Sequence, residues 1–294
     1  MEWQQIEYFQ TVARVQHITR AADILSISQP ALSRSIARLE AEFGVPLFER
    51  QGRTIQLNRY GELFLNRANR ILKEYRDGKR EIQDLIDPEY GEVSIGFLHT
   101  LGVEKIPNLI GAFRKRYPNL RFQFNQNNSG ALLKQMESGD FDLCLTTPID
   151  TTIKVNWTKL WDEELFVIVP ADHQLADRES ITLDEIADED LISVKKGNSL
   201  RQITEQLCQE AGIEPSFLFE GEEIHTVAGL VGAGLGVSLI PQISGLDEGK
   251  IALLRVRWPT CERVIGIAWL EGDYMSAAAL RFKEFVMDYF ARNS

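Results

Sequence analysis

Residues 19–43, TRAADILSISQPALSRSIARLEAEF, constrain this chain more than any other stretch, because they read as two short helices separated by a tight break. In the second helix Leu32, Ile36, Leu39 and Phe43 recur at steps of four, three and four, so one stripe faces a core. Gln29, Ser33, Arg34, Ala37 and Arg38 are left outward. Ser28 is a good N-cap, and Pro30 falls in the first turn, where a missing backbone N–H does little harm. Thr19 is expected to cap the preceding helix, whose Ala21, Ala22 and Leu25 suit close packing against a neighbour. Spacing alone fits two structures, an ordinary amphipathic pair with a solvated basic face and a reading head for a DNA groove. In a reading head, Gln29, Ser33 and Arg34 would meet base edges or phosphates, because Gln and Arg make bidentate contacts to adenine and guanine edges. Arg38 would reach phosphate one turn on, and Thr19, Arg20, Ser28 and Pro30 complete the candidate DNA-binding set.

The 294 residues can bury a large core and are expected to form two or three domains. No apolar run is long enough to span a bilayer, and the start, MEWQQIEYFQ, lacks the basic region and apolar core of a signal peptide. A cytoplasmic protein without membrane contact is therefore expected. Cys144, Cys208 and Cys261 are odd in number, far apart and in apolar or helical surroundings, which favours reduced buried thiols over disulfides or zinc ligation. Redox sensing by Cys144 is the alternative. The net charge of −11 looks wrong for a DNA binder until it is divided along the chain. Residues 1–87 hold 13 Lys+Arg and 12 Asp+Glu, whereas residues 88–294 hold 19 and 31, so the acid load lies in the C-terminal part. Such asymmetry fits a nucleic-acid module joined to a domain that should not touch DNA, although acidic globular domains are commonplace.

Trp3, Ile6, Phe9 and Ala13 share one face of a first helix over residues 3–16, which can pack under the helix pair. GVPLFERQGRTIQLN, after Phe43, breaks helical periodicity and alternates Ile55 with Leu57, predicting a β-turn-β wing with Arg50 and Arg53 near its tip. Both arginines are candidate phosphate contacts, or else solvated surface charges. Residues 59–87 then form one uninterrupted helical pattern, ~43 Å long at 1.5 Å per residue. Leu57, Gly61, Phe64, Ala68, Ile71, Tyr75, Gly78, Ile82 and Leu85 follow at alternating steps of four and three, a heptad seam. Its stripe is too long and narrow for one small core, so pairing with the same helix of a second copy is expected through Phe64, Ala68, Ile71, Tyr75, Ile82 and Leu85. Beyond Pro88, strands alternate with helices to the end of the chain, which predicts an α/β region with a largely parallel sheet in two lobes of roughly 100 residues. Ligands of such sheets bind at the carboxyl ends of strands, here between lobes.

These residues resemble the LysR-type transcriptional regulators along the whole chain. The run AADILSISQPALSRSIARLEAEFGVPLFERQGRTIQL is highly specific, and LFVIVPADHQLA and GLVGAGLGVSLIP look like recurrent segments of that family's effector domain. The resemblance implies an α+β winged helix-turn-helix DNA-binding domain (1–58), a dimerising linker helix (59–87), and a two-lobed α/β effector domain (88–294) similar to periplasmic binding proteins. Its first lobe would join 91–161 with 267–294, leaving 162–266 as the second. It implies, further, a homotetramer on double-stranded promoter DNA, contact with RNA polymerase, and a small-molecule effector of unknown identity in the interlobe cleft. Gln29, Pro30, Ser33 and Arg34 match the family's DNA-reading segment, and Arg50 and Arg53 its wing. Asn58 and Tyr60 depart mildly from the family pattern where the linker helix begins.

Candidate effector positions follow strand ends: His99, Thr100, Asn128, Ser129, Thr146, Thr147, Val194, Lys195 and Ser199. Hydroxyls and free N–H groups at helix starts make anion sites. With Lys195, Lys196 and Arg201 nearby, a small carboxylate effector is expected; the other reading is that Thr100, Ser129 and Ser199 only cap helices and the lysines are solvated. His225 is expected to hydrogen-bond locally. Catalysis and cofactors are not expected. Gly232, Gly234 and Gly236 follow a helix and precede a strand, the reverse of a dinucleotide loop, and no nucleophile elbow, Walker loop or metal-ligand spacing is present.

Overall fold

Packing of three helices against a hairpin closes the first hydrophobic core. The elements are α1 (Trp3–Val15), α2 (Ile18–Ile24), α3 (Gln29–Phe43), β1 (Phe48–Gln51) and β2 (Thr54–Leu57). The computed structural model describes residues 2–51, 54–86 and 90–292, in two units, Met1–Ile86 and Asp87–Ser294. Ile6, Phe9 and Val12 of α1, Ala21 and Ala22 of α2, and Leu32, Ile36 and Leu39 of α3 meet in the N-terminal core. Ser28 caps α3 by accepting from the Ala31 amide. For α2 the expected cap is corrected. His17, not Thr19, holds the N-cap position and accepts from the Arg20 amide through Nδ1, because the helix begins at Ile18, two residues earlier than the Thr19 reading requires. β1 and β2 pair antiparallel, with Arg50 opposite Ile55 and Gln51 opposite Thr54. Gly52 and Arg53 lie outside the described residues, as does the Arg50 side chain.

A single 28-residue helix, α4 (Arg59–Ile86), follows the hairpin. Asn58 caps it through Oδ1, which accepts from the amides of Tyr60 and Gly61. The heptad seam divides in two. Its first half is spent within the chain: Ala68 is fully buried in the N-terminal core, and Phe64 packs on Phe9 and Phe43 with ring centroids 4.8 and 4.7 Å apart. Ala68 is thereby removed from the expected pairing surface and Phe64 is half withdrawn from it. The second half remains open, with Ile82 62% and Leu85 83% exposed.

The second unit runs β3 (Gly91–Leu98), a 3-10 turn His99–Leu101, α5 (Lys105–Arg116), β4 (Leu120–Asn127), α6 (Ser129–Glu137) and β5 (Leu143–Thr146). Then come β6 (Val155–Pro170), β7 (Ser180–Ile181), a 3-10 turn Leu183–Ile186, β8 (Leu191–Val194), α7 (Ser199–Glu210), β9 (Phe217–Gly221), α8 (Ile224–Gly232), β10 (Ser238–Pro241), β11 (Ile251–Val256), β12 (Glu262–Leu270) and α9 (Ala277–Ala291). The main sheet runs β4-β3-β5-β12-β6-β11-β7, with β10 also on β6, and β8 pairs separately with β9. β3 pairs parallel with β4 and β5, but β12 runs antiparallel to both β5 and β6, and β10 and β11 run antiparallel to β6. The expectation of a largely parallel sheet is therefore corrected to a mixed one. The cause is that β6 and β12 pass through both lobes in opposite directions and bring antiparallel neighbours with them.

Two separate cores result. Val93, Ile95, Leu109, Phe113, Leu143, Ile267 and Phe282 belong to one, and Leu165, Val167, Ile192, Val227, Leu239 and Leu254 to the other. The chain passes between them in β6 near residues 161–165 and again in β12 near residues 261–265. A register shift between Ile265 and Gly266 marks the crossing. There Gly266 faces Trp157 so closely that a Cβ would sit 2.3 Å from the indole ring.

At Gly61, where α4 meets the hairpin root, a Cβ would lie 2.1 Å from the Leu47 carbonyl oxygen. Backbone cannot yield as a flexible side chain does, so Gly61→Ala is expected to destabilise the N-terminal unit by ~1–3 kcal/mol. Calorimetry of the full chain should show the transition of that unit falling by several degrees.

Candidate nucleic-acid interface and ligand cleft

Thr19, Arg20, Ser28, Gln29, Pro30, Arg34 and Arg38 are all exposed, and Ser33 is half-buried. The core stripe of α3 turns Leu32, Ile36 and Leu39 inward, which forces the intervening polar side chains outward. Gln29 Nε2 donates to Ser33 Oγ at 2.8 Å, so its amide is held along the helix face. Arg20, Arg34 and Arg38 form no ion pair with a described residue, leaving their guanidinium groups available to phosphate or guanine. Between α3 and the hairpin lies a groove of about 330 Å³, lined in part by His17, Thr19, Gln29, Ser33, Glu40 and Thr54. His17 and Thr54 were not singled out by the sequence reading, which chose residues of the helix pair and the arginines of the wing.

Glu40 sets the angle between α3 and the hairpin. Its Oε1 accepts from the amides of Leu47 and Phe48 at 2.7 and 3.2 Å, and Asn58 Nδ2 donates to the Pro46 carbonyl at 2.7 Å. One carboxylate and one amide thus tie the hairpin root to the ends of α3 and α4. Replacing Glu40 by Ala leaves two amides without acceptors, a loss of about 1–3 kcal/mol. Faster hydrogen exchange at Leu47 and Phe48 and weaker DNA binding are expected together, although Glu40 is not a base-reading group.

The second candidate site lies between the two cores of residues 90–292. Ser129 Oγ is 2.8 Å from Thr147 Oγ1 and 3.1 Å from Ser199 Oγ, all buried, so three of the expected effector hydroxyls join the lobes to one another. Thr146 is also buried and donates to the Thr147 carbonyl. His99, Thr100, Asn128 and Val194 line a cavity of about 30 Å³ with Asn127, Asn198, Glu222, Glu223 and Arg263. Val194 supplies an apolar wall, and Asn128 caps α6 by accepting from the Ala131 amide. Lys195 does not stand free: it is exposed and bonded to Glu222, which raises its pKa further. Arg201 is unavailable as well. It is buried, paired with Glu205 and Glu220, and stacked 3.5 Å above the Phe217 ring. The positive charges expected to attract an anion are therefore largely neutralised.

The cation that reaches the cavity is one the sequence reading missed. Arg263 is 3% exposed, on the crossing strand β12 and opposite Glu163 of β6. Its Nε donates to Glu163 at 2.6 Å and its Nη2 to Thr100 Oγ1 at 2.7 Å. Nothing local in ERVIGIAWL marks it; only the pairing of β12 with β6 brings it to the cleft. His225 Nε2 lies 3.3 Å from the Ser244 carbonyl, a local contact.

All three cysteines are buried and free. Burial pushes the Cys144 and Cys261 thiols up to about 12 and the Cys208 thiol up to about 11. A raised thiol pKa leaves almost no thiolate near neutral pH, so the native protein should release no thiolate-coupled chromophore from a disulfide reagent at pH 7. The three equivalents expected from the sequence should appear only on unfolding.

A winged helix-turn-helix with exposed arginines on its outer helix, joined through a long helix to a two-lobed α/β domain with an internal cleft, defines a ligand-responsive DNA-binding regulator. Comparison with known families agrees. Residues 3–62 match the bacterial regulatory helix-turn-helix protein family of lysR type, and residues 87–291 match the LysR substrate binding domain. The chain belongs to the LysR family of DNA-binding transcriptional regulators, and it is not an enzyme. It is 57% identical to the uncharacterized HTH-type transcriptional regulator YybE of Bacillus subtilis, over 99% of this chain and 100% of that one. The effector-binding domain of QuiR in complex with shikimate is 29% identical, covering 69% of this chain and 98% of that one, with a TM-score of 0.67. Full-length CbnR complexed with its target DNA has the same fold, with a TM-score of 0.73, 23% identity, and coverage of 98% and 99%.

Proposed function

We propose that this regulator grips promoter DNA as a symmetric dimer, that two dimers associate, and that a small carboxylate metabolite between the lobes of residues 88–294 controls it. In this reading residues 1–58 form the reading head and residues 59–87 the pairing helix. The lobes are 91–161 with 267–294, and 162–266, a division supported by the two hydrophobic cores. Gln29, Ser33, Arg34 and Arg38 meet the major groove, with Thr19, Arg20, Ser28 and Pro30 beside them and Arg50 and Arg53 on the flanking backbone. The carrying observation is that Arg20 of α2 and Arg34 and Arg38 of α3 are exposed and form no ion pair with a described residue.

Pairing through α4 is supported by the exposed apolar side chains from its middle to its end, Ile71, Tyr75, Ile82 and Leu85. Burying an aliphatic side chain of this size stabilises by ~1.5–3 kcal/mol, so the three aliphatic side chains with the Tyr75 ring, repeated by symmetry, are enough to hold a dimer. A carboxylate effector is supported by the donors in the cleft. Asn127, Asn128 and Asn198 each commit their oxygen to a backbone amide, so the amide NH2 groups are their free polar ends. QuiR, a relative in this domain, was solved with shikimate, itself a carboxylate. Ligand control acts on transcription through DNA geometry and contact with RNA polymerase, in the cytoplasm.

Arg34→Ala is expected to weaken operator binding by about 1–3 kcal/mol in a mobility-shift titration, with sedimentation and unfolding unchanged. Equal affinities of wild type and variant across a salt series would remove Arg34 from the interface. The double substitution Ile82→Glu and Leu85→Glu should at least halve the mass of the assembly in analytical ultracentrifugation; an assembly of unchanged mass would place the pairing surface elsewhere.

A further inference from the structure

We infer that the effector is a small zwitterion of the amino-acid type, with Arg263 as its carboxylate receptor and Glu223 as the acceptor for its ammonium group. This rests on the reading that the effector sits between the lobes. Arg263 is a buried cation lining the interlobe cavity. Its Nε and Nη2 are engaged by Glu163 and Thr100, while Nη1 makes no hydrogen bond to a described residue. A planar guanidinium with Nη1 open, beside an Nη2 shared between Glu163 and the Thr100 hydroxyl, is a fork whose outer edge a carboxylate can take bidentately by displacing Thr100 while Glu163 keeps the inner edge. The free NH2 ends of Asn127, Asn128 and Asn198 line the same cavity and surround that carboxylate with further donors.

A simple anion does not fit the rest of the lining. The charged groups in and directly behind the wall are Arg263 and Lys195 against Glu163, Glu222 and Glu223, an excess of one negative charge. Lys195 is already bonded to Glu222. Glu223 is held only by His99, at 3.7 Å, with both side chains about half exposed. A ligand ammonium displacing His99 gives Glu223 a charged partner and cancels the cost of bringing a carboxylate into an acidic pocket. A neutral zwitterion pairs with both walls at once.

Binding also reaches the lobe junction. The cavity of about 30 Å³ has room for one or two waters, so an amino acid must part the lobes. Thr100 and Arg263 come from opposite sides of that movement, as do Glu104 and Ser244, which are hydrogen-bonded at 2.5 Å. Because Arg263 and its partner Glu163 sit on β12 and β6, the two strands that join the lobes, the carboxylate pulls directly on the hinge.

The test is calorimetric titration of the full-length protein with the twenty L-amino acids, the matching 2-oxo acids and the matching amino-acid amides. At least one amino acid should bind, with its 2-oxo acid and its amide each at least tenfold weaker. Arg263→Lys should weaken that binding at least tenfold at unchanged thermal stability. Glu163→Gln, which releases Arg263 from its internal partner, should tighten binding severalfold, an effect that a purely structural ion pair would not produce. A 2-oxo acid that binds as well as its amino acid overturns the zwitterion and leaves the cleft reading standing. Binding that survives unaltered when Asn128→Trp fills the cavity overturns the cleft reading itself. If no compound in any of the three sets binds, the inference fails.

Discussion

Both halves of the C-terminal unit hang on one antiparallel pair, β6 with β12. The two strands leave one hydrophobic core and enter the other side by side, so every movement between lobes is a twist or bend of this ribbon. Their register shifts at the crossing, next to the Gly266 contact with Trp157. A bulge in a paired ribbon raises the local twist, and here it stands between the segment that builds the first core and the segment carrying Arg263. The cleft is consequently walled by residues from five separate regions of the chain, and none of them makes a site alone.

The N-terminal unit solves a different problem. It must hold a helix and a hairpin at a defined angle with a core built from few residues. The apolar stripe of α3 sets which side faces outward, but apolar contacts are non-directional and do not set the angle. Direction comes from Glu40 and Asn58, whose bonds to the segment Pro46–Phe48 tie the hairpin root to both neighbouring helices. α4 carries this geometry outward, because its first half is part of the same core while its second half is left bare.

Much of the architecture was legible in residue patterns. The three-and-four spacing of Leu32, Ile36 and Leu39 defined α3 and its outward face. Leu191–Val194, buried along its whole length, is a short apolar run, and β3 carries an alternation of Val93, Ile95 and Phe97. The first half of β6 did not, because Lys159, Asp162, Glu163 and Glu164 interrupt any alternation there; its pairing with β12 stabilises a segment whose own composition argues for a loop. β7 and β11 were missed for the related reason that a two-residue strand and a half-exposed edge carry almost no periodic signal.

The sequence by itself determined the order of the modules, the outward residues of the reading helix and the long helix with its seam, since these depend on neighbours within one or two turns. Only tertiary structure decided how that seam is divided, which charges stay free and where the cleft's cation comes from. Lys195 and Arg201 look available in a linear reading, yet each has carboxylate partners brought from β9 or the residues just after it. Arg263 looks like one more strand residue until β12 is laid against β6. Short-range periodicity is written in consecutive residues, whereas the neutralisation or exposure of a charge depends on which distant segments fold beside it.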